Sequence, residues 1–415
     1  MNSTFYNLGI QLLGMGMKLA SLFHPKAKLW IQGRKNVFNY IQSKISKNDK
    51  VIWMHASSLG EYEQGLPVLN ALKDRYPNYK FAASFFSPSG YEVVKDKSWA
   101  DVIFYLPLDT SLNAKELIKA LHPSCAIFVK YDFWFHLLNE LSKNKIQTIF
   151  ISSIFRENQI YFKPNGKWMV SILKNINHFF VQNDKSLRLL NSIHISQATV
   201  AGDTRFDRVK MLLNLKHDLP WLAQFKQNNT LVIAGSTWKK DDELFINYIN
   251  SNTNKKLKFV IAPHNMNKEY FNDLKYKFNC KVLFYSEINP ELNLSDFSVL
   301  ILDTIGILNS VYSYGDISYV GGGFGKEGVH NVLEPAVYNQ PVIFGPIYDK
   351  FIEAEELSNS NGGIVIKNQL EFNSIISSLV LDPDYRNSLG GKAQNYILNK
   401  PNSTQIIVDY LDNQL

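Results

Sequence analysis

Only two cysteines occur in 415 residues, Cys125 and Cys280. They lie too far apart for a metal-ligand spacing and are too few for a disulfide framework, so a reducing compartment is the simpler setting. No H-E-x-x-H or other tight cluster of His, Cys and carboxylates marks a catalytic metal, and no G-x-S-x-G marks a hydrolase nucleophile. Low-complexity segments and close internal repeats are also missing. The net charge is +7 with no long basic run. That favours anionic small molecules or an anionic membrane surface over nucleic acid.

A clean membrane span is lacking as well. The most apolar stretch, Phe5 to Phe23, contains Lys18 and three glycines, whereas a spanning helix wants roughly 20 mainly apolar residues. Its periodicity is helical: Phe5, Leu8, Leu12, Met15, Leu19 and Leu22 share a stripe, with Asn7, Gln11, Lys18 and Ser21 on another face. This predicts an interfacial helix, with a soluble helix docked on its own domain as the alternative. No small-residue cleavage site follows. Lys26, Lys28, Arg34, Lys35 and Lys44 do follow, and on a bilayer they would keep the rest of the chain on the cytoplasmic side.

What the chain has in abundance is short apolar runs separated by stretches long enough for a helix. VIWMHAS, KFAASFF, DVIFYLP, CAIFVK, QTIFISS, HFFVQN and ATVAGD recur in the first half; TLVIAGS, KFVIAP, KVLFY, SVLILD, DISYVGG, PVIFG and GIVIK recur in the second. Strands buried on both faces and alternating with helices imply parallel sheets, so each half reads as a doubly wound α/β unit. The expected division is a helix over residues 1–24, a domain over 25–209, a second over 210–398, and a C-terminal helix over 399–415 that could cross back to the first. In such units ligands bind at the carboxyl ends of the strands.

The motifs stand at those ends. HASSLGEYEQG, His55 to Gly65, follows a strand run and holds Ser58-x-x-Glu61. It reads equally as a capping box and as a catalytic carboxylate at a helix N-terminus that favours its ionised form. Pro67 complicates a helix starting at Ser58 and predicts a later start, with Glu61 in the turn. VKYDFW places Lys130 and Asp132 after another strand, and GDTRFD places Arg205 after the last. In the second half GGGFGKEGVHNVLEPA carries Gly321, Gly322 and Gly323, which let a backbone come close to a phosphate or ribose. The spacing is read as other than G-x-G-x-x-G, which disfavours a dinucleotide fingerprint, and GGGFGKEG lacks the GK[ST] ending of a Walker loop. Asn331-x-x-Glu334 is again a capping box or a pair for ribose hydroxyls. GSTWKKDDE, APHN with Pro263 and His264, and LDTIGIL with Ile305, Gly306 and Ile307 share the same edge.

Taken together, HASSLGE, GRK at Gly33 to Lys35, GDTRFD, LDTIG and GGGFGKEGVHNVLEPA resemble the 3-deoxy-D-manno-octulosonic acid (Kdo) transferases of Gram-negative lipopolysaccharide assembly. The motifs keep the family's order over nearly the whole chain. The resemblance implies a GT-B glycosyltransferase fold, with two Rossmann-like domains facing a central cleft and an N-terminal membrane-associating helix. It also implies CMP-Kdo as donor substrate with no separate cofactor or metal, a lipid A precursor as acceptor, and a place on the cytoplasmic face of the inner membrane. By position, Glu61 matches the proton acceptor and Arg205 a basic, usually Lys, residue that stabilises the transition state. Pro263 and His264, Ile305 to Ile307, and Asn331, Val332, Leu333 and Glu334 match CMP-binding segments. Three positions depart: Lys130 stands where the family has a functional Glu, with Asp132 close by; His264 stands where Arg is common; Ile307 stands where Glu is common. Two rivals stay open on the same residues: another GT-B enzyme, such as a UDP-sugar transferase or sugar-nucleotide epimerase, and a non-catalytic membrane-attached nucleotide-binding protein.

Overall fold

Each apolar run forms a strand because its side chains are buried on both faces of a sheet; β1 (Val51–Ala56), for example, is buried at every position. The computed structural model describes residues 3–96, 99–254 and 256–415. The chain forms two compact units, Met1–Arg208 with Pro401–Leu415, and Val209–Lys400.

In the first unit β1 is followed by β2 (Lys80–Phe85), β3 (Val102–Tyr105), β4 (Cys125–Val129), β5 (Gln147–Ser153), β6 (His178–Val181) and β7 (Ala198–Val200). They pair in parallel in the order β3-β2-β1-β4-β5-β6-β7. The direction of winding reverses between β1 and β4, which makes their carboxyl ends the switch point of the sheet. Strand β7, at one edge of the sheet, has no fully buried position.

The second unit repeats the plan with β8 (Thr230–Thr237), β9 (Leu257–Pro263), β10 (Val282–Phe284), β11 (Val299–Ile301), β12 (Ile317–Val320), β13 (Val342–Phe344) and β14 (Gly363–Val365). The order is β10-β11-β9-β8-β12-β13-β14, again parallel, and winding reverses between β8 and β12. Helices cover the faces of both sheets, so apolar clusters such as Trp53, Phe128 and Phe150 in one unit and Val232, Phe245 and Tyr319 in the other are shut from water.

Four helices lead into the first site: α1 (Ser3–Ala20), α2 (Pro25–Gln32), α3 (Val37–Lys44) and α4 (Leu59–Arg75). Helix α1 docks through Tyr6, whose hydroxyl donates to Asp109 Oδ2 at 2.5 Å, and through Gly14, where a side chain would strike Leu108. Its apolar stripe remains exposed: Leu8 is 51%, Leu12 55% and Leu19 67% accessible. Docking and an uncovered apolar face therefore coexist on one helix. Among the described residues no helix is long and apolar enough to cross a membrane. The C-terminal helix Ser403–Asp412 belongs to the first unit, where Ser403 Oγ donates to Ala201 O at 2.7 Å and Asp412 pairs with Arg75 of α4.

Candidate functional site

The turn from β1 into α4 is built by a full capping box. Ser58 has extended backbone angles and accepts the Glu61 N–H on Oγ at 3.4 Å, while Glu61 Oε2 accepts Ser58 N at 3.3 Å and Ser57 N at 2.6 Å. The helix therefore starts at Leu59 and Pro67 lies inside it, which corrects the expectation of a later start. The cap fixes the first turn before Pro67 is reached. Gly65 then lets α4 lie directly on β1, since a Cβ there would stand 2.1 Å from Met54 Sδ. Cap and close packing together aim the Glu61 carboxylate at the carboxyl edge of the sheet.

That edge is the β1/β4 switch point, and β4 delivers Lys130 and Asp132 to it. Lys130 holds a left-handed φ of 67°, kept by its N–H on Ile151 O (2.9 Å) and by Ser153 Oγ donating to its carbonyl (2.8 Å). Asp132 accepts the Ser57 hydroxyl and lies 3.3 Å from Nε2 of the buried His55. On its other side His55 Nδ1 meets Ser84 Oγ at 2.9 Å. Sequence reasoning passed over His55 and Ser57, although both stand in the quoted motif.

Burial, and then the charge of Asp132, push the Glu61 carboxyl above the ordinary carboxylate range; Lys130, the Ser57 N–H and His55 pull the other way without prevailing. The sequence reading expected the helix end to hold Glu61 ionised; desolvation outweighs that effect. A carboxylate raised in this way is a better proton acceptor.

Arg205 is the second residue of the helix Thr204–Leu212, just after β7. Its N–H and Nε both reach Asp203, at 2.9 and 2.8 Å, and Gln64 Nε2 of α4 donates to the same carboxylate at 2.8 Å. Asp203 is buried, so it ties Arg205 to the helix that carries Glu61. Neither Gln64 nor Asp203 was singled out from sequence.

In the second unit the switch point lies between β8 and β12, whose ends carry Trp238 and the glycines. Asp241 joins them: its carboxylate accepts Trp238 N (2.9 Å), Gly322 N (2.9 Å) and the Tyr319 hydroxyl (2.5 Å). A Cβ on Gly321 would lie 2.4 Å from Ser236 O, and one on Gly323 would lie 2.7 Å from the backbone of Gly345; Gly322 has φ +94°. Within the unit these glycines let strand ends cross closely. The letters Gly323 to Gly328 do fit G-x-G-x-x-G, yet no helix follows Gly328, and the next, Leu333–Ala336, is a single turn. The dinucleotide arrangement is absent for that reason.

His264 donates its main-chain N–H to Thr237 O (2.8 Å), and its ring stacks on Trp238 and on His330 with centroids 4.6 Å apart in each case. Trp238 Nε1 in turn donates to His330 Nε2 at 2.9 Å, and those two rings are nearly coplanar. Burial and then His264 lower the His330 pKa. Trp238 and His330 were not picked out by sequence reasoning. Pro263 ends β9 and is buried, whereas Ile305 is 80% accessible beside Gly306 at φ +98°, and Ile307 precedes the helix Leu308–Tyr312. Asn331 uses both ends of its amide, accepting Leu333 N (3.1 Å) and donating to Glu334 Oε1 (2.9 Å). Val332 and Leu333 face the core with no accessible surface. No group of three metal-ligating side chains occurs among the described residues.

Residues 32–208 match the family model described as 3-Deoxy-D-manno-octulosonic-acid transferase (kdotransferase). The chain is 25% identical over 410 residues to the 3-deoxy-D-manno-octulosonic acid transferase of Chlamydia trachomatis serovar A, covering 95% of this chain and 92% of that one. With the corresponding protein of Rickettsia typhi the identity is 24% over 404 residues, 95% and 86% of the two chains. Among solved structures, a UDP-GlcNAc 2-epimerase from Neisseria meningitidis bound to UDP-GlcNAc superposes with a TM-score of 0.61 at 15% identity, over 88% of this chain and 100% of that one. The structural likeness is one of fold, two Rossmann-like α/β domains of the GT-B kind.

Proposed function

We propose that this chain, a glycosyltransferase of the Kdo transferase family, transfers Kdo from CMP-Kdo to a sugar hydroxyl of a lipid A precursor with inversion at the anomeric carbon. One observation carries the mechanism: Glu61 is held by two main-chain N–H groups at the β1/β4 switch point, with its pKa raised by burial and by Asp132. Glu61 takes the proton of the attacking hydroxyl as the new bond to Kdo forms, and the bond to the phosphate oxygen of CMP breaks. Arg205, positioned by Asp203, stabilises the charge that develops on the leaving phosphate. His264, Ile305 to Ile307, the Gly321 to Gly323 loop and Asn331 to Glu334 bind the CMP portion, with no metal or further cofactor.

The exposed apolar stripe of α1 supports attachment to the cytoplasmic face of a Gram-negative inner membrane, where the lipid acceptor resides. The deciding experiment incubates purified chain with CMP-Kdo and a lipid A precursor and counts added Kdo units by mass. Addition of at least one Kdo supports the reading; no addition, together with inhibitor competition by UDP and not CMP, favours a UDP-sugar enzyme.

A further inference from the structure

The first unit contains a cavity that the chemistry above does not use. The later part of α1, α2 and the segment after β2 form the walls of an open groove of about 800 Å³, a volume typical of small-molecule sites. Its walls are Leu13, Met17, Ala27, Trp30, Phe86 and Pro88. An open apolar groove of this kind favours an apolar occupant, because covering its walls takes them out of water.

Two observations fix which occupant. The first is charge: no acidic residue precedes Asp49, while seven Lys and Arg residues do. Lys26 and His24 line the cavity itself, and behind its wall the Arg34 guanidinium lies 3.7 Å from the Trp30 ring centroid and donates to the carbonyls of Leu106, Trp30 and Phe86. An apolar chain attached to an anionic head meets both requirements.

The second observation is continuity with Glu61. Ser87, which also lines the cavity, donates its N–H to Ser57 O at 2.9 Å, and the Ser57 N–H holds Glu61 Oε2 at 2.6 Å. Phe86 packs on Trp134 at 4.8 Å between centroids, and Trp134 Nε1 meets His55 Nε2 at 3.3 Å. The cavity wall and the proton acceptor therefore share a residue-to-residue link that a bulk bilayer lipid has no need of.

We propose that this cavity is a subsite for one acyl chain of the anionic glycolipid acceptor, anchoring it while its sugar hydroxyl reaches Glu61. The inference rests on the reading of the chain as a transferase acting on a lipid acceptor.

The test uses the full chain in detergent and a lipid A precursor carrying a diazirine at the end of one acyl chain. Irradiation should attach the lipid to the lining residues Met17, Ala27, Trp30, Phe86 and Pro88, and unlabelled precursor should compete. Ala20→Trp places a large side chain in the half-exposed cavity wall. It should remove that labelling and raise KM for the acylated acceptor about tenfold, leaving kcat for a deacylated acceptor unchanged. Labelling confined to the exposed stripe of α1, equal competition by anionic phospholipid, or an unaltered KM in Ala20→Trp would each overturn the proposal. Cavity labelling by a wild-type chain that transfers no Kdo to either acceptor would instead defeat the transferase reading and leave the lipid site standing.

Discussion

Glu61 and Asp132 are bridged by a single residue: Ser57 gives its main-chain N–H to the first at 2.6 Å and its hydroxyl to the second. Burial raises the Glu61 pKa, and the charge of Asp132 adds to that rise.

A direct consequence concerns pH. The acid limb of the kcat/KM profile should lie above the ordinary Glu range of about 4.3, because Glu61 must be ionised to accept a proton. Asp132→Asn removes the second charge and should move that limb to lower pH; a limb that stays or moves upward contradicts the coupling. The stability sign follows from the same shift. A carboxyl with a raised folded pKa contributes stability that is present below its unfolded pKa and lost as pH rises through the folded one. Ionised Glu61 therefore costs stability near neutral pH.

Arg205 depends on Asp203 for its position. Arg205→Ala should lower kcat by about a hundredfold or more with little change in KM, as expected for a group acting on developing charge. Arg205→Lys keeps the charge and should recover part of the loss. Equal kcat in all three proteins would remove Arg205 from the mechanism.

The glycine loop gives a steric prediction. In Gly323→Ala the new methyl meets Gly345 backbone at 2.7 Å, and backbone cannot rotate away, so the chain should lose about 1–3 kcal/mol and bind CMP less well. Gly60→Ala, in α4 with nothing within 4 Å of the added carbon, should instead gain about 0.5–1 kcal/mol. Urea unfolding separates the two.

Asp242, the residue after Asp241, is buried and hydrogen-bonded by the Tyr270 hydroxyl, and burial pushes its pKa up to about 6. Its contribution to stability is present below the ordinary Asp value of 3.8 and lost as pH rises through about 6. The loss amounts to something on the order of 3 kcal/mol. Asp242→Asn should thus gain on the wild type as pH rises through that window and hold a constant advantage above it. A difference independent of pH would show that Asp242 does not titrate there.

The fold was open to sequence reading because every strand run is apolar and bounded by turns, and parallel sheets bury both faces of such runs; VIWMHA and TLVIAGS show this plainly. Pro67 misled because a local rule about helix interiors was set against a capping box that had already fixed the first turn. Residues such as His55, Asp203, Trp238 and His330 escaped notice for another reason. Their partners Asp132, Gln64 and His264 are distant in sequence and come together only through strand order. The apolar stripe of α1 was legible as a helical period, but that α1 would dock through Tyr6 and leave the stripe bare depends on Asp109.

The central claim is that Glu61 is the base. Glu61→Gln keeps the shape of the side chain and an oxygen for the Ser57 N–H. The measurement is mass-detected transfer of Kdo from CMP-Kdo to a lipid A precursor, alongside CMP binding and urea unfolding of the same protein. The account predicts no transfer, unchanged CMP affinity and stability no lower than wild type; turnover retained in Glu61→Gln would contradict it.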